Sequence, residues 1–132
     1  MEIFLRISLD AKTQQPVVTY SKRGGMDLER ITNLYPTDIH KIHIDFIQGI
    51  QYMDLLKVSY NLGFTNRSYK SKLASLINNC YKCYVQRDCQ EVLINPLVLT
   101  KENNFRAPNP RLCIDDNAYY RQSEMLDLDD ST

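Results

Sequence analysis

The sequence predicts a single small α+β domain in which an N-terminal β-hairpin packs on three or four helices. Two observations predict this class: apolar residues alternate with polar ones near the N-terminus, and they recur at helical spacing through the middle of the chain. A third observation, a change of charge near the C-terminus, divides the 132 residues into a domain at 1–111 and an acidic tail at 112–132 that we expect to be mobile.

The first predicted element is the β-hairpin. Its first strand is indicated by four apolar residues at every second position, which are Ile3, Leu5, Ile7 and Leu9. The second strand is the β-rich run "PVVTYS" at 16–21, and its Pro16 stands at the beginning, where a strand tolerates proline. The two runs therefore predict an antiparallel pair.

The residues after the hairpin predict a turn and a short helix. Gly24 and Gly25 interrupt the strand pattern, and Asp27 can cap a helix that continues to Asn33.

From Ile39 onward the apolar residues fit both the period of two of a strand and the spacing of a helix. Ile42, Ile44 and Phe46 alternate as in a strand, whereas a longer set recurs at helical spacing: Ile39, Ile42, Phe46, Ile50 and Met53. The length of the longer set favours a helix.

Two further helices are predicted around Gly63. One runs from Asp54 to Leu62, and Gly63 follows it where a left-handed C-terminal cap is favoured. Thr65 or Asn66 can cap the second, whose apolar face consists of Tyr69, Leu73, Leu76, Ile77, Cys80 and Tyr84. After it come a short apolar run, "EVLINPLVLT", and a loop rich in Asn and Pro.

Charge and composition limit the class of protein. The chain has 16 basic and 16 acidic residues, which excludes a strong overall field for polyanions, but 61–111 has a net charge of +5 and 112–132 of −5. No apolar run is long enough to cross a membrane or to form a signal peptide, so we expect an intracellular protein, cytoplasmic or nuclear, with no membrane contact. Abundant Ile, Asn, Tyr and Lys are typical of an AT-rich genome, such as that of a virus.

The helix after Gly63 is a candidate nucleic-acid-binding element. Two helices joined by a turn with glycine have the layout of a helix-turn-helix, in which the second helix enters the major groove. The basic residues on the second helix that would contact nucleic acid are Arg67, Lys70, Lys72, Lys82 and Arg87. The stretch "SYNLGFTNRSYKSKL" resembles the turn and recognition helix of AraC-type regulators, which implies DNA contact. The alternative is an ordinary helical hairpin with a solvated basic face.

A protein-protein adaptor is the second functional hypothesis. The segment "LYPTDIHKIHIDFIQGIQYMDLLKVS" at 34–59 is similar to an F-box, with a Leu and Pro at its start and an Asp-Leu-Leu followed by Val-Ser. The resemblance implies docking to a ubiquitin-ligase subunit through Pro36, Ile39, Leu55 and Leu56. The alternative is that these apolar residues belong to the core.

The acidic tail is a candidate partner-binding segment. Met125, Leu126 and Leu128 alternate with acidic residues, a pattern that can dock in an apolar groove of a partner or on the basic middle of the same chain. The alternative is a tail that aids solubility.

No metal, cofactor or catalytic site is predicted. Cys80 and Cys83 have the C-x2-C spacing of a zinc ligand pair, but Cys89 and Cys113 do not form a second such pair, and Cys80 falls on the apolar helix face. No nucleotide-binding glycine motif or nucleophile motif is present. The sequence therefore predicts a non-enzymatic regulatory or interaction protein whose partner is nucleic acid or, as the alternative, a regulatory or host protein.

Overall fold

The computed structural model describes residues 1–102, 104–108 and 110–114. Within that range the chain forms six strands and three α-helices. In chain order these are β1 Glu2–Leu9, β2 Pro16–Ser21, α1 Leu28–Leu34, β3 His40–His43, α2 Tyr52–Asn61, α3 Arg67–Gln86, β4 Cys89–Leu99, β5 Phe105–Arg106 and β6 Pro110–Ile114. A 3-10 turn, Pro36–Asp38, lies between α1 and β3.

The strands form one six-stranded sheet in the order β3-β2-β1-β4-β5, and β6 also pairs with β4. Every pairing between these strands is antiparallel. The strand β1 is an interior strand, because Leu5 lies opposite Tyr20 of β2 on one side and Ile94 of β4 on the other. The predicted fold class is therefore wrong: the hairpin of β1 and β2 exists, but it is part of a larger sheet rather than a unit packed on helices.

The strand β4 is the element that the sequence analysis underestimated. The apolar run after Asp88 is an 11-residue strand that pairs with β1, β5 and β6. Its alternation is broken because β4 has one more residue than β1 between the pairs Ile3–Leu97 and Leu5–Ile94. This bulge lies at the Asn95–Pro96 peptide, which is cis. Because the bulge adds a residue to one strand, the apolar residues of β4 do not follow a regular period of two along the sequence.

The segment after Ile39 is a strand, and the predicted helix there is wrong. The strand β3 pairs with β2, with Ile42 opposite Val18. Ile42 and Ile44 are buried in the core, whereas Phe46 is exposed, so only the alternating part of the pattern is used. The segment forms a strand because the edge of β2 is available for pairing. Hydrogen bonds to β2 replace those that the backbone N–H and C=O groups would form within a helix.

The helices α2 and α3 confirm the prediction around Gly63. Gly63 has a φ of +84°, the left-handed conformation expected after a helix. The side chain of Asn66 accepts a hydrogen bond from the backbone N–H of Ser68 and caps α3. The buried residues of α3 are Leu73, Leu76, Ile77, Cys80, Cys83 and Tyr84.

The main core lies between α2, α3 and one face of the sheet. The residues Ile3, Leu5 and Ile7 of β1 belong to this core together with the buried face of α3. The intervening residues of β1, including Phe4 and Arg6, therefore point to the second face of the sheet. That second face carries the polar cleft described next.

Candidate functional site

A cleft of about 490 Å³ lies on the second face of the sheet. Its walls come from β1, β4, β6 and the segment that begins α1, and they are formed by Phe4, Arg6, Asp27, Leu28, Glu91, Leu93, Asn95 and Arg111. Two arginines and two carboxylates in one concave surface distinguish this cleft from the apolar core behind the sheet. We call it the sheet cleft.

Strand register places a row of three side chains across the sheet cleft. Leu93 of β4 lies directly opposite Arg6 of β1 and, on its other side, directly opposite Arg111 of β6. Residues directly opposite each other in antiparallel strands share one face of a sheet, and neighbouring strands are ~4.8 Å apart. The two arginines therefore flank Leu93 on the same face, with their backbones roughly 10 Å apart.

An ion pair lies within the sheet cleft. The Nε of Arg6 donates to Oε1 of Glu91 at 2.9 Å, and the two side chains are 31% and 33% exposed. Arg111 is exposed and forms no ion pair with any residue of the described segments. One guanidinium is thus partly neutralised, and the other faces solvent.

Asn95 fastens the glycine turn to the edge of the sheet cleft. Its Oδ1 accepts a hydrogen bond from the backbone N–H of Gly25 at 2.8 Å, and its Nδ2 donates to the backbone oxygen of Met26 at 2.8 Å. The turn also lies close against β1: a Cβ on Gly24 would be 2.4 Å from the backbone carbon of Glu2. Only glycine fits this approach, so the turn and the start of α1 are held at one position.

Asp27 completes the wall of the sheet cleft next to this turn. Its Oδ1 accepts from the backbone N–H of Arg30 at 2.7 Å, which makes Asp27 the N-cap of α1 and confirms the capping prediction. The sequence analysis had assigned Asp27 to the cap and had not assigned it to a site.

The oxygen donors of the sheet cleft are partly engaged by other groups of the chain. The carboxylate of Glu91 is paired with Arg6, Asp27 caps a helix, and both amide atoms of Asn95 hold backbone groups. Among the described residues no group of three His, Cys, Asp or Glu side chains could hold a metal ion. The ion pair uses Oε1 of Glu91 and the helix cap uses Oδ1 of Asp27, so these contacts leave the second oxygen of each carboxylate unused.

The basic residues predicted to contact nucleic acid are spread along α3 rather than gathered in one patch. Arg67 and Lys70 line a groove of about 480 Å³ between α2 and α3, which we call the helix groove. The Nζ of Lys72 donates to Oδ1 of Asn104 at 3.1 Å, Lys82 is exposed near the other end, and Arg87 is the C-cap.

The residues of the F-box-like segment are also separated. Pro36 is exposed at the start of the 3-10 turn, and Ile39 is half-buried beside β3. Leu55 and Leu56 are half-buried and line the helix groove. The helical spacing behind the resemblance is interrupted by β3, and the tail residues Met125, Leu126 and Leu128 lie outside the described residues.

The cysteines predicted as an optional zinc pair lie in α3. Cys80 and Cys83 are both buried, and the Sγ of Cys89 lies 3.6 Å from the backbone oxygen of Cys83. Burial raises the pKa of the Cys80 thiol to about 12, which favours a protonated, unreactive thiol. The prediction that no metal binds at this pair stays untested.

The fold has a counterpart in a known family. A family model described as an ATP-grasp domain matches residues 1–99, well over half of the chain. The chain therefore belongs to the ATP-grasp family.

Its curated relatives include β subunits of ADP-forming succinate–CoA ligase. The subunit from Opitutus terrae is 33% identical over 129 residues, a match that covers 98% of this chain and 33% of the relative. The subunit from Chlorobaculum tepidum is 35% identical over 131 residues. That match covers 99% of this chain and 33% of the relative. The chain spans about a third of the length of these relatives.

A solved structure supports the same fold. The ATP citrate lyase of Methanothrix soehngenii superposes with a TM-score of 0.65 and 21% identity, covering 94% of this chain and 26% of the lyase chain. At this identity the likeness concerns the fold alone.

These comparisons correct the functional predictions. A non-enzymatic regulatory protein, with its viral setting, is wrong, because the chain belongs to a family of ATP-dependent enzymes and its relatives are named as ligases. Nucleic acid and a host or regulatory protein as partners are wrong for the same reason. Within the described part of the chain, no helix has the length and apolar character needed to cross a membrane.

Arg6, Glu91, Asn95 and Arg111 of the sheet cleft were not predicted as site residues. One signal could have found two of them: Glu91 and Asn95 are polar residues four apart within an apolar run, which places both on one face of a strand. Arg6 is likewise a polar residue within an apolar run, because it lies between Leu5 and Ile7 of β1. No sequence pattern shows that these two strands are neighbours.

Proposed function

We propose that this chain is the part of an ATP-grasp unit that binds the nucleotide phosphates in an ADP-forming acid–CoA ligase. The single observation that carries the proposal is the sheet cleft, a polar concave surface on the sheet face opposite α2 and α3 in a chain from this family. The relatives named as ADP-forming ligases support the reaction class. Because the chain spans a third of those relatives, the proposal assigns to it binding and orientation.

The side chains of the sheet cleft suit a nucleotide. Arg6 and Arg111 offer planar guanidinium groups, which match phosphate oxygens in geometry and charge. Asn95 holds the glycine turn at 24–26 against the rim, and Phe4 and Leu93 supply apolar surface. The proposal also places the protein inside the cell, where ATP is available.

A pair of tryptophan substitutions tests this location. Leu93→Trp fills the sheet cleft, whereas Ala74→Trp fills the helix groove, which is similar in size. Calorimetric titration of each variant and of the wild type with ATP and Mg²⁺ should give saturable binding to the wild type and Ala74→Trp, and none to Leu93→Trp. Absence of ATP binding by the wild type, or a loss only in Ala74→Trp, would overturn the proposal.

A further inference from the structure

We propose that Cys83 and Cys89 form a redox-active thiol pair, which a hydroperoxide converts into an intramolecular disulfide. The pair belongs to the core cluster between α3 and the sheet, away from the residues that line the sheet cleft. The proposal is therefore independent of nucleotide binding.

The connection between α3 and β4 brings the two side chains together. Cys83 lies in the last turn of α3, and Cys89, six residues further along, is the first residue of β4. The backbone N–H of Arg87 donates to the oxygen of Cys83 at 3.0 Å, and Asp88 reverses the chain with a φ of +54°. As a result the Sγ of Cys89 lies 3.6 Å from that same backbone oxygen.

A hydrogen bond between the two thiols makes them chemically different. The thiol of Cys89 donates to the sulfur of Cys83, and this contact lowers the pKa of Cys83 although burial opposes it; the positive charge of Arg87 acts in the same direction as the hydrogen bond. The same hydrogen bond raises the pKa of Cys89, as does burial. Cys83 is therefore the nucleophile, because the thiolate is the reactive form of cysteine, and Cys89 is its protonated partner.

Cys80 provides a contrast one turn earlier on α3. Its exposed fraction of 6% equals that of Cys83, but burial raises its pKa to about 12, and the neighbouring Cys83 thiolate acts in the same direction. Three residues close to the pair in the chain are exposed, namely Gln86, Asp88 and Gln90. The pair thus lies beneath a solvent-facing turn, where a small oxidant suits it better than a protein would.

The oxidation proceeds in two balanced steps. The Cys83 thiolate attacks one oxygen of the hydroperoxide, the O–O bond breaks, and the products are a Cys83 sulfenic acid and an alkoxide that takes a proton from water. The sulfur of Cys89 then attacks the sulfenic sulfur: the S–S bond forms, the S–O bond breaks, and the leaving hydroxide takes the Cys89 proton to become water. The two sulfurs lose two electrons in total, which the hydroperoxide gains.

Peptide mapping of the full chain tests the pair, because trypsin places its four cysteines on four peptides, 73–82, 83–87, 88–101 and 112–121. The reduced protein is treated with a small excess of hydrogen peroxide at neutral pH, its free thiols are alkylated, and it is digested without reductant. We expect a linked species of 83–87 and 88–101 that a reductant separates. The peptides with Cys80 and Cys113 should remain alkylated.

Three variants separate the roles of the two thiols. Cys89→Ser keeps a hydroxyl donor but cannot form the bond, so the Cys83 sulfenic acid should accumulate and be trapped by dimedone. Cys89→Ala lacks the donor and should form that adduct more slowly, because the pKa of Cys83 should rise. Cys80→Ala, the matched control on the same helix, should give the linked species at the wild-type rate. Circular dichroism before oxidation verifies that each variant is folded.

Several outcomes would overturn the proposal. These are alkylation of all four cysteines of the wild type after peroxide, a link that includes Cys80 or Cys113, a link between two chains, and a dimedone adduct at Cys80 in Cys89→Ser. Equal adduct rates in Cys89→Ser and Cys89→Ala would also overturn it, since the hydrogen bond from Cys89 would then not activate Cys83.

Discussion

Arg6 and Glu91 are 85 residues apart in the chain, yet the Nε of Arg6 lies 2.9 Å from Oε1 of Glu91 within the sheet cleft. The strands β1 and β4 bring them together, and each side chain remains about one third exposed. Water screens an ion pair of this kind, so its contribution to folding is small. The pair therefore restrains the Arg6 guanidinium more than it supports the fold.

The first prediction concerns the stability of that pair. Glu91→Gln and Arg6→Gln should each change the free energy of unfolding by no more than about 1 kcal/mol, because exposed ion pairs contribute little. Urea denaturation followed by circular dichroism measures the change. A loss of several kcal/mol in either variant would show that the pair is structural.

The second prediction concerns the hold of Asn95 on the glycine turn. Asn95→Ala removes the acceptor for the N–H of Gly25 and the donor to the oxygen of Met26. Amide hydrogen exchange at Gly25 should become faster, while exchange within α3 should not change. Asn95→Asp is the matched variant: it keeps an acceptor for Gly25, so it should protect that amide better than Asn95→Ala does. Equal exchange at Gly25 in wild type and Asn95→Ala would contradict the assigned hydrogen bond.

The third prediction compares two glycines. In Gly24→Ala the added Cβ would lie 2.4 Å from backbone atoms of β1, so the strand or the turn must shift. Gly63→Ala meets no atom within 4 Å and has only the strain of a φ of +84°, which costs roughly 1 kcal/mol. Thermal unfolding should therefore show a larger loss for Gly24→Ala. The reverse order would mean that the turn does not lie against β1.

The helix α3 and the strand β4 show what the sequence can and cannot predict. The helix has an Asn66 cap and a regular apolar face, so local patterns are sufficient to locate it. The strand β4 has a bulge at Asn95, and its partners lie at distant positions in the chain, so its place between β1, β5 and β6 depends on tertiary pairing. The sheet cleft shares this difficulty, because Arg6, Leu93 and Arg111 form a row only after three strands have paired.

The fourth prediction concerns pH. A hydrogen bond from the backbone N–H of Lys12, together with the side chain of His43 at 2.8 Å, lowers the pKa of Asp10 below its usual value. A lowered folded-state pKa stabilises the fold at pH values above the unfolded-state pKa of about 4, and this contribution is lost as the pH falls through the folded-state pKa. Asp10→Asn should therefore melt at a lower temperature than wild type at neutral pH, and the difference should disappear in acid.

Glu102→Gln, a change at an exposed turn residue, is the control for the pH series. Its melting temperature should follow that of wild type more closely than Asp10→Asn does at neutral pH. A difference between wild type and Asp10→Asn that grows as the pH falls would contradict the assigned interactions of Asp10.

The most direct test of the central claim, that the sheet cleft is the nucleotide site, is an NMR titration of the ¹⁵N-labelled chain with ATP. Backbone amide shifts should change at Phe4, Arg6, Gly25, Leu93 and Arg111, which lie in or beside the sheet cleft on four separate segments. Amides along α3, at 67–86, should remain in place. Shift changes confined to α3, or none at any ATP concentration, would contradict it.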